Sequence, residues 1–280
     1  MQSKFNKIFN KVSACLKDID TSIYIKKIRQ RRGYIPVDVM LSVIIYHSYL
    51  ACQSFKVFVE EVAPKVLPSE HTSISYNRWC FWRKQLSPLL THISNKSLSI
   101  SSFKGLALID STVLPVCAIQ RERDHKSHSR QASKTMSSLG WAYGYKLHLI
   151  TNENGLILRW QLTSANVHDI TPLKQETFTA GLTGTLIGDS AYTSKPTASS
   201  LLKRGLNLVV KPKNSVFNKT FFYDNELKFY GKRWKIEVVI GALKEQFGLK
   251  LCRKTRHPAS FNFSVAASLF LFNLFFKGIS

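Results

Sequence analysis

Three acidic residues stand where apolar patterning would exclude them. Asp110 closes the short run "GLALID", Asp189 closes "GTLIGD", and Glu237 lies in "YGKRWKIEVVIGALK" at the border of a helical apolar stripe. Asp is poorly suited to a buried strand, and each one alone reads equally as the start of a turn. Two such strand ends plus an acid on a helix invite a different chemistry. Neighbouring carboxylates repel and desolvate badly unless a cation sits between them. An oxygen-rich trio suits magnesium, and two such ions about 4 Å apart can activate an attacking oxygen and stabilise a leaving one in phosphoryl transfer. The other acids read differently. Asp169 in "NVHDITPL" reads as a helix cap. Asp124 lies within a basic run, Asp224 and Glu226 in a polar turn, and Glu122, Glu153, Glu176 and Glu245 on charged or loop surfaces.

Around Glu237 the spacing continues. In one helix at about 100° per residue, Tyr230, Arg233, Glu237 and Lys244 fall within roughly 60° of each other. Ile236, Val239, Ile240, Leu243 and Phe247 fill the adjoining sector. Arg233 and Glu237 also read as an ordinary surface ion pair, worth a few tenths of a kcal/mol.

The elements that must position these residues change character along the chain. Residues 1–100 read as a helical N-terminal domain that binds DNA or oligomerises. Phe5, Phe9, Val12 and Leu16 recur at helical spacing, "PVDVMLSVIIYHSYLACQSFKVFVEEV" is apolar nearly all round from Pro36, and Pro64 and Pro68 break it. A helix over "SYNRWCFWRKQL" mixes Arg78, Arg83 and Lys84 with Trp79, Phe81 and Trp82, either as a nucleic-acid contact or as a core helix with a solvated basic face. "SNKSLSISS" reads as a polar linker. Residues 101–280 read as strand to Asp110, a hairpin "WAYGYKLHLIT"–"ENG"–"LILRWQLT", a helix from Thr171-Pro172 to about Ala180, a strand to Asp189, a helix from Pro196 to Lys203, the strand "LNLVV" and a long helix. That order gives an α/β fold with a mixed sheet flanked by helices, in which strand carboxyl ends carry the chemistry.

Bulk properties narrow the partner. Forty Lys and Arg against 17 Asp and Glu leave a net charge of +23 on 280 residues, and the excess runs through both parts rather than a tail. A polyanion such as double-stranded DNA is the expected partner. The five cysteines lack metal spacing and read as thiols of a reducing, cytoplasmic compartment. The N-terminus is not a signal peptide. The dense apolar run Val265 to Phe276 is short of the roughly 20 residues that span a bilayer and reads as a buried closing helix, so no membrane partner is expected. His125, His128, His148 and His168 do not form a zinc pattern.

The connector "QRERDHKSHSRQASK" is read as projecting near Asp110. Its Arg121, Arg123, Lys126, Arg130 and Lys134 then either hold phosphates or form a solvated loop. Arg256 and His257, after the Glu237 helix, are candidates for the same work.

Tyr230-x2-Arg233-x3-Glu237-x6-Lys244 matches the Tyr-Arg-Glu-Lys signature of bacterial DDE transposases, and the chain most resembles those of insertion-sequence (IS) family 982. The matching pieces are "SISYNRW", "DSTVLPVCAIQRERDHK", "SLGWAYGYKLHL", "TSANVHD", "GDSAY", "KIEVVIGALK" and "TRHPASFNF". The resemblance implies a ribonuclease H-like core in which Asp110, Asp189 and Glu237 bind Mg2+ (or Mn2+), as two ions, while Tyr230, Arg233 and Lys244 handle DNA. It implies cleavage and strand transfer of element ends by a homo-oligomer in a bacterial cytoplasm. A nuclease that cuts without joining, or a decayed DNA-binding copy, would share much of this sequence. Ser164-Ala165 replaces the Pro-Gly usual in that family, and the chain closes on a Phe-rich stretch where the family often ends more polar.

Overall fold

A computed structural model describes residues 2–25, 35–51, 54–68, 71, 74–98, 102–137, 140–210 and 229–276. By internal contacts the chain forms two units, Met1–Ser97 with Leu243–Phe275, and Leu98–Ala242.

The second unit is built on a six-stranded mixed sheet: β1 Phe103–Cys117, β2 Ser133–Ser137, β3 Gly140–Asn152, β4 Ile157–Ser164, β5 Leu182–Gly188 and β6 Leu206–Val210. The order is β2-β3-β1-β5-β6, with β4 also paired to β3. β1, β2, β3 and β4 pair antiparallel, whereas β1, β5 and β6 run parallel. Ala107, Ile109, Ile150, Leu158, Leu186 and Tyr192 belong to one buried cluster on this sheet. Residues i and i+2 share a face of a strand, so Ala107, Ile109 and Ser111 face that cluster while Leu108 and Asp110 face the other way.

β1 does not stop at Asp110. Its parallel pairing with β5 ends at Leu108↔Ile187, but its antiparallel pairing with β3 runs through Asp110↔Leu149 and Ser111↔His148 to Cys117. The β-branched and apolar residues Thr112, Val113, Leu114 and Val116 continue the extended pattern past the aspartate, and β3 supplies the ladder partners. β2 falls inside what reads as a loop: "SKTMS" is short, polar and alternates weakly, as an edge strand can. The helix expected over 171–180 is a 3-10 turn, Pro172–Lys174, followed by a single helical turn, Glu176–Thr179.

In the helical unit, Gln2–Leu16 buries Phe5, Ile8 and Val12, and Val37–Tyr49 is buried along most of its length after Pro36. That helix ends before Pro64, since Ala51 takes φ 50°. Phe55–Val57, a π turn Phe58–Val62 and a 3-10 turn Ala63–Lys65 follow. Ser75 caps the Tyr76–Gln85 helix through its contact with the Arg78 amide. The next helix, Ser87–Leu98, runs into the expected linker.

Arg83 does not lie on a solvated basic face. It is buried, donates to the Ser264 hydroxyl, and stacks over Phe55 at 4.9 Å; burial pushes its guanidinium below its ordinary value. The last helix, Pro258–Phe275, packs on Val37–Tyr49 and Tyr76–Gln85, so the chain's end groups with the N-terminal helices instead of with the sheet. At 18 residues this helix is long and apolar enough to cross a membrane, but 67% of it is buried within the protein. Its core phenylalanines 261, 263, 270 and 272 each contribute about 2 kcal/mol by leaving water.

Candidate active site

Asp110 and Asp189 occupy equivalent places on neighbouring parallel strands. Each lies two residues beyond the last paired position, Leu108↔Ile187, where β1 and β5 part while β1 stays held by β3. An opening at the carboxyl end of parallel strands is where such sheets expose functional groups. Asp189 ends β5 as the cap of a 3-10 turn, accepting from the Ala191 amide at 2.9 Å. Gly188 before it admits a close approach, since a Cβ there would lie 2.9 Å from Tyr192 Cδ2 and 3.0 Å from Ile109 Cγ2.

Glu237 enters from the chain after β6. Regular helix spans Trp234–Glu245; Phe229 and Tyr230 are helical too, but residues 231–233 between them form a turn, where Arg233 and Ile236 bond backbone oxygens three residues back. The single-helix wheel over Tyr230–Lys244 therefore does not hold at its start. Arg233 nevertheless meets Glu237, Nη2 to Oε1 at 2.5 Å, and its Nη1 lies 3.8 Å from Asp110 Oδ2. Lys232 fastens the same turn to the β3–β4 connection through Glu153 at 2.7 Å. Glu237 is itself 53% exposed at its side chain, further out than the edge of the buried stripe formed by Ile236, Val239 and Ile240.

Burial pushes the Asp110 carboxyl up to about 6; the Ser111 amide and Arg233 oppose that, and the nearby charges of Asp189 and Glu237 add to it. Arg233 thus links Asp110 and Glu237, and the charge of Asp189 also acts on the part-buried Asp110. Among the described residues, no three His, Cys, Asp or Glu side chains stand within reach of one metal ion.

Four further residues, Asp169, Ser111, Lys146 and Tyr192, belong to this neighbourhood. Asp169, expected to cap a helix, instead accepts from Ser111 Oγ at 2.5 Å and pairs with Lys146 Nζ at 3.2 Å; the turn after it is headed by Thr171 without a side-chain cap. Tyr192 is buried, and burial together with the charges of Asp169, Asp110 and Asp189 raises its phenol well above the ordinary value. The signal for Asp169 lay in the alternation of β1 and β3, which puts Ser111 and Lys146 on one face, but only tertiary folding brings the 164–171 turn to them.

The other predicted DNA contacts are distributed. Arg121, Arg123, Lys126 and Arg130 are exposed. Their connector is anchored beyond Asp110, with His128 bonded to Tyr145 at 2.9 Å and Tyr145 paired to Leu114, about 13 Å further along β1 at strand rise. This separation follows from the length of β1, which the expectation of a strand ending at Asp110 did not include. Lys244 and Arg256 fall in the stretch that groups with the helical unit. Asp224 and Glu226 lie outside the described residues, and the side chains of Arg253 and Lys254 are likewise not described.

A search of curated proteins returns no significant match. Among solved structures the chain is similar to a piggyBac transposase, seen by cryo-EM in a synaptic complex with hairpin DNA, at 11% identity and a TM-score of 0.48, covering 96% of this chain and 74% of that one. The family model described as "Transposase DDE domain" matches residues 100–259, more than half of the chain and a span within which the three predicted acids lie. The chain belongs to the transposase DDE-domain family.

Proposed function

We propose that this protein is a metal-dependent insertion-sequence transposase with a ribonuclease H-like core, resembling IS family 982, that nicks element ends and transfers the freed 3′ strand into target DNA. The observation that carries the reading is Arg233 reaching both Asp110 and Glu237, with Asp189 at the matching position of the next parallel strand. DDE transposase domains generally use divalent metal ions. The donor chemistry fits, hard carboxylate oxygens, which magnesium prefers, around an acid whose charge burial disfavours; the three are not gathered within reach of one ion while Arg233 holds Glu237. Asp110, Asp189 and Glu237 would hold Mg2+ or Mn2+, as two ions. When bound, such ions supply charge neutralisation at the scissile phosphate and lower the pKa of the attacking oxygen's proton.

The chain's own residues then have separate tasks. Asp110 is fixed by the rigid β1–β3 ladder, and Asp189 by its own turn. Glu237, on an exposed stretch of helix, exchanges its bond to Arg233 for the site. Arg233, released from Glu237, is placed to bind a DNA phosphate as a planar fork. Tyr230 stacks or hydrogen-bonds near the terminal nucleotide, and Lys244 contacts the backbone as a point charge. Arg121, Arg123, Lys126 and Arg130 hold flanking duplex phosphates, and Arg256 contributes from the helical unit. Both element ends must be processed together, so a homo-oligomer on DNA is part of the reading, as is a bacterial cytoplasmic location.

The test is a strand-transfer assay with end-labelled element termini and a plasmid target in Mg2+. Joined products support the reading; cutting without joining would make the protein a nuclease.

A further inference from the structure

We infer that Asp169 is a positioning residue for Asp110, acting from the opposite face of β1 through Ser111. The inference rests on the reading of Asp110 as a metal-binding acid. Successive residues of a strand point to opposite faces, so Asp110 and Ser111 look away from each other, and Asp169 cannot set Asp110 by direct contact along the same face. The connection runs through one residue. Ser111 Oγ donates to Asp169 Oδ1 at 2.5 Å, and the Ser111 amide donates to Asp110 Oδ1 at 2.8 Å. Holding the Ser111 side chain fixes the peptide whose N–H meets Asp110 Oδ1. With Oδ1 engaged, Oδ2 is the oxygen turned toward Arg233.

Asp169 is itself braced. Lys146 Nζ lies 3.2 Å from its Oδ1 and donates to the Val167 carbonyl at 2.8 Å, and the two side chains are only 12% and 23% exposed. Lys146 stands on β3 two residues from His148, the cross-strand partner of Ser111. His148 is buried and bonded to Thr163 at 2.9 Å. The 164–171 turn is thereby pinned to β1, which carries Asp110, and to its neighbour β3. Charge-assisted hydrogen bonds of this kind are short and directional, and partners behind a metal-binding carboxylate typically set metal affinity by 10- to 100-fold.

The test measures Mn2+ affinity directly by calorimetry on the full chain, alongside the Mg2+ concentration that half-saturates nicking. Asp169→Asn and Ser111→Ala are each expected to weaken Mn2+ binding and raise the half-saturating Mg2+ by about 10-fold, with a smaller loss of rate at saturating metal. Ser111→Thr, which keeps the hydroxyl, is expected to recover most of the affinity lost in Ser111→Ala. Wild-type Mn2+ affinity in both Asp169→Asn and Ser111→Ala would overturn the inference. So would complete loss of binding in Asp169→Asn with none in Ser111→Ala, which would make Asp169 a direct ligand. If Asp169→Asn fails to fold, Ser111→Ala with its Thr rescue decides alone. A wild-type chain that binds Mn2+ but cuts no DNA refutes the transposase reading without touching this one.

Discussion

Asp110 is the residue on which the charges act. Its folded-state carboxyl is pushed up to about 6, so across roughly pH 4–6 the folded chain keeps a proton that the unfolded chain releases. The stability linked to this group is intact below about pH 4 and is lost as pH rises to about 6. Asp110→Asn, which cannot ionise, should raise stability in metal-free buffer at pH 7.5 by up to about 3 kcal/mol and lose that advantage at pH 4. Thermal melts at the two pH values check this, and equal melting of variant and wild type at pH 7.5 would refute it. His148 has the opposite sign: burial pushes its imidazole down to about 4, so its contribution is present above about pH 6.5 and falls as the pH drops toward 4. In the sequence Asp110 and Asp189 stand out because an acid closing an apolar run violates the local pattern, and Glu237 stands out by its spacing from Tyr230, Arg233 and Lys244. Asp169 could not. Its "HDITP" context reads as a cap, and its real partners, Ser111 and Lys146, come from strands far away in the chain.

At the level of elements, the site depends on β1 and β5 separating after Leu108 and Ile187 while Gly188 lets Tyr192 and Ile109 close behind the aspartates. Gly188→Ala puts a methyl into that contact, and overpacking of this kind costs about 1–3 kcal/mol. The variant should unfold earlier in denaturant by that amount, with nicking reduced beyond what lost folded protein explains; wild-type midpoint and rate would show that the close packing is not needed. Strand β1 also shows where sequence reading stops. An Asp after "LALI" looks like an end, yet β3 offers a ladder partner to every residue through Leu114, and pairing outweighs the propensity of one residue. The hairpin β3–β4 was legible from its alternation and "ENG" turn. β2 was not, having neither a strong period nor an apolar face. The turn at residues 231–233 was hidden for a related reason: its residues fit a helical wheel, and the three-residue backbone bonds distinguish the turn from helix.

Over the whole molecule, the net charge of +23 predicts DNA binding that weakens steeply with salt. Replacing exposed Arg121 and Arg130 together by Ala should weaken binding uniformly across DNA sequences and reduce the slope of log affinity against log salt by about 2. An unchanged slope in a fluorescence-anisotropy titration would remove the connector from the interface. Composition makes a polyanionic partner the expectation. It said nothing of how the closing helix is placed, because an all-round apolar stretch fits any core, and here that core is built with the N-terminal helices. The central claim, that Asp110, Asp189 and Glu237 act together on a phosphodiester, is tested most directly by Mg2+-dependent nicking of element-end DNA by wild type and Glu237→Gln. The account predicts nicking by wild type that disappears with chelator and falls at least about 100-fold in the variant, equivalent to about 2.7 kcal/mol in the barrier. Nicking retained at the wild-type rate in a folded Glu237→Gln protein would contradict it.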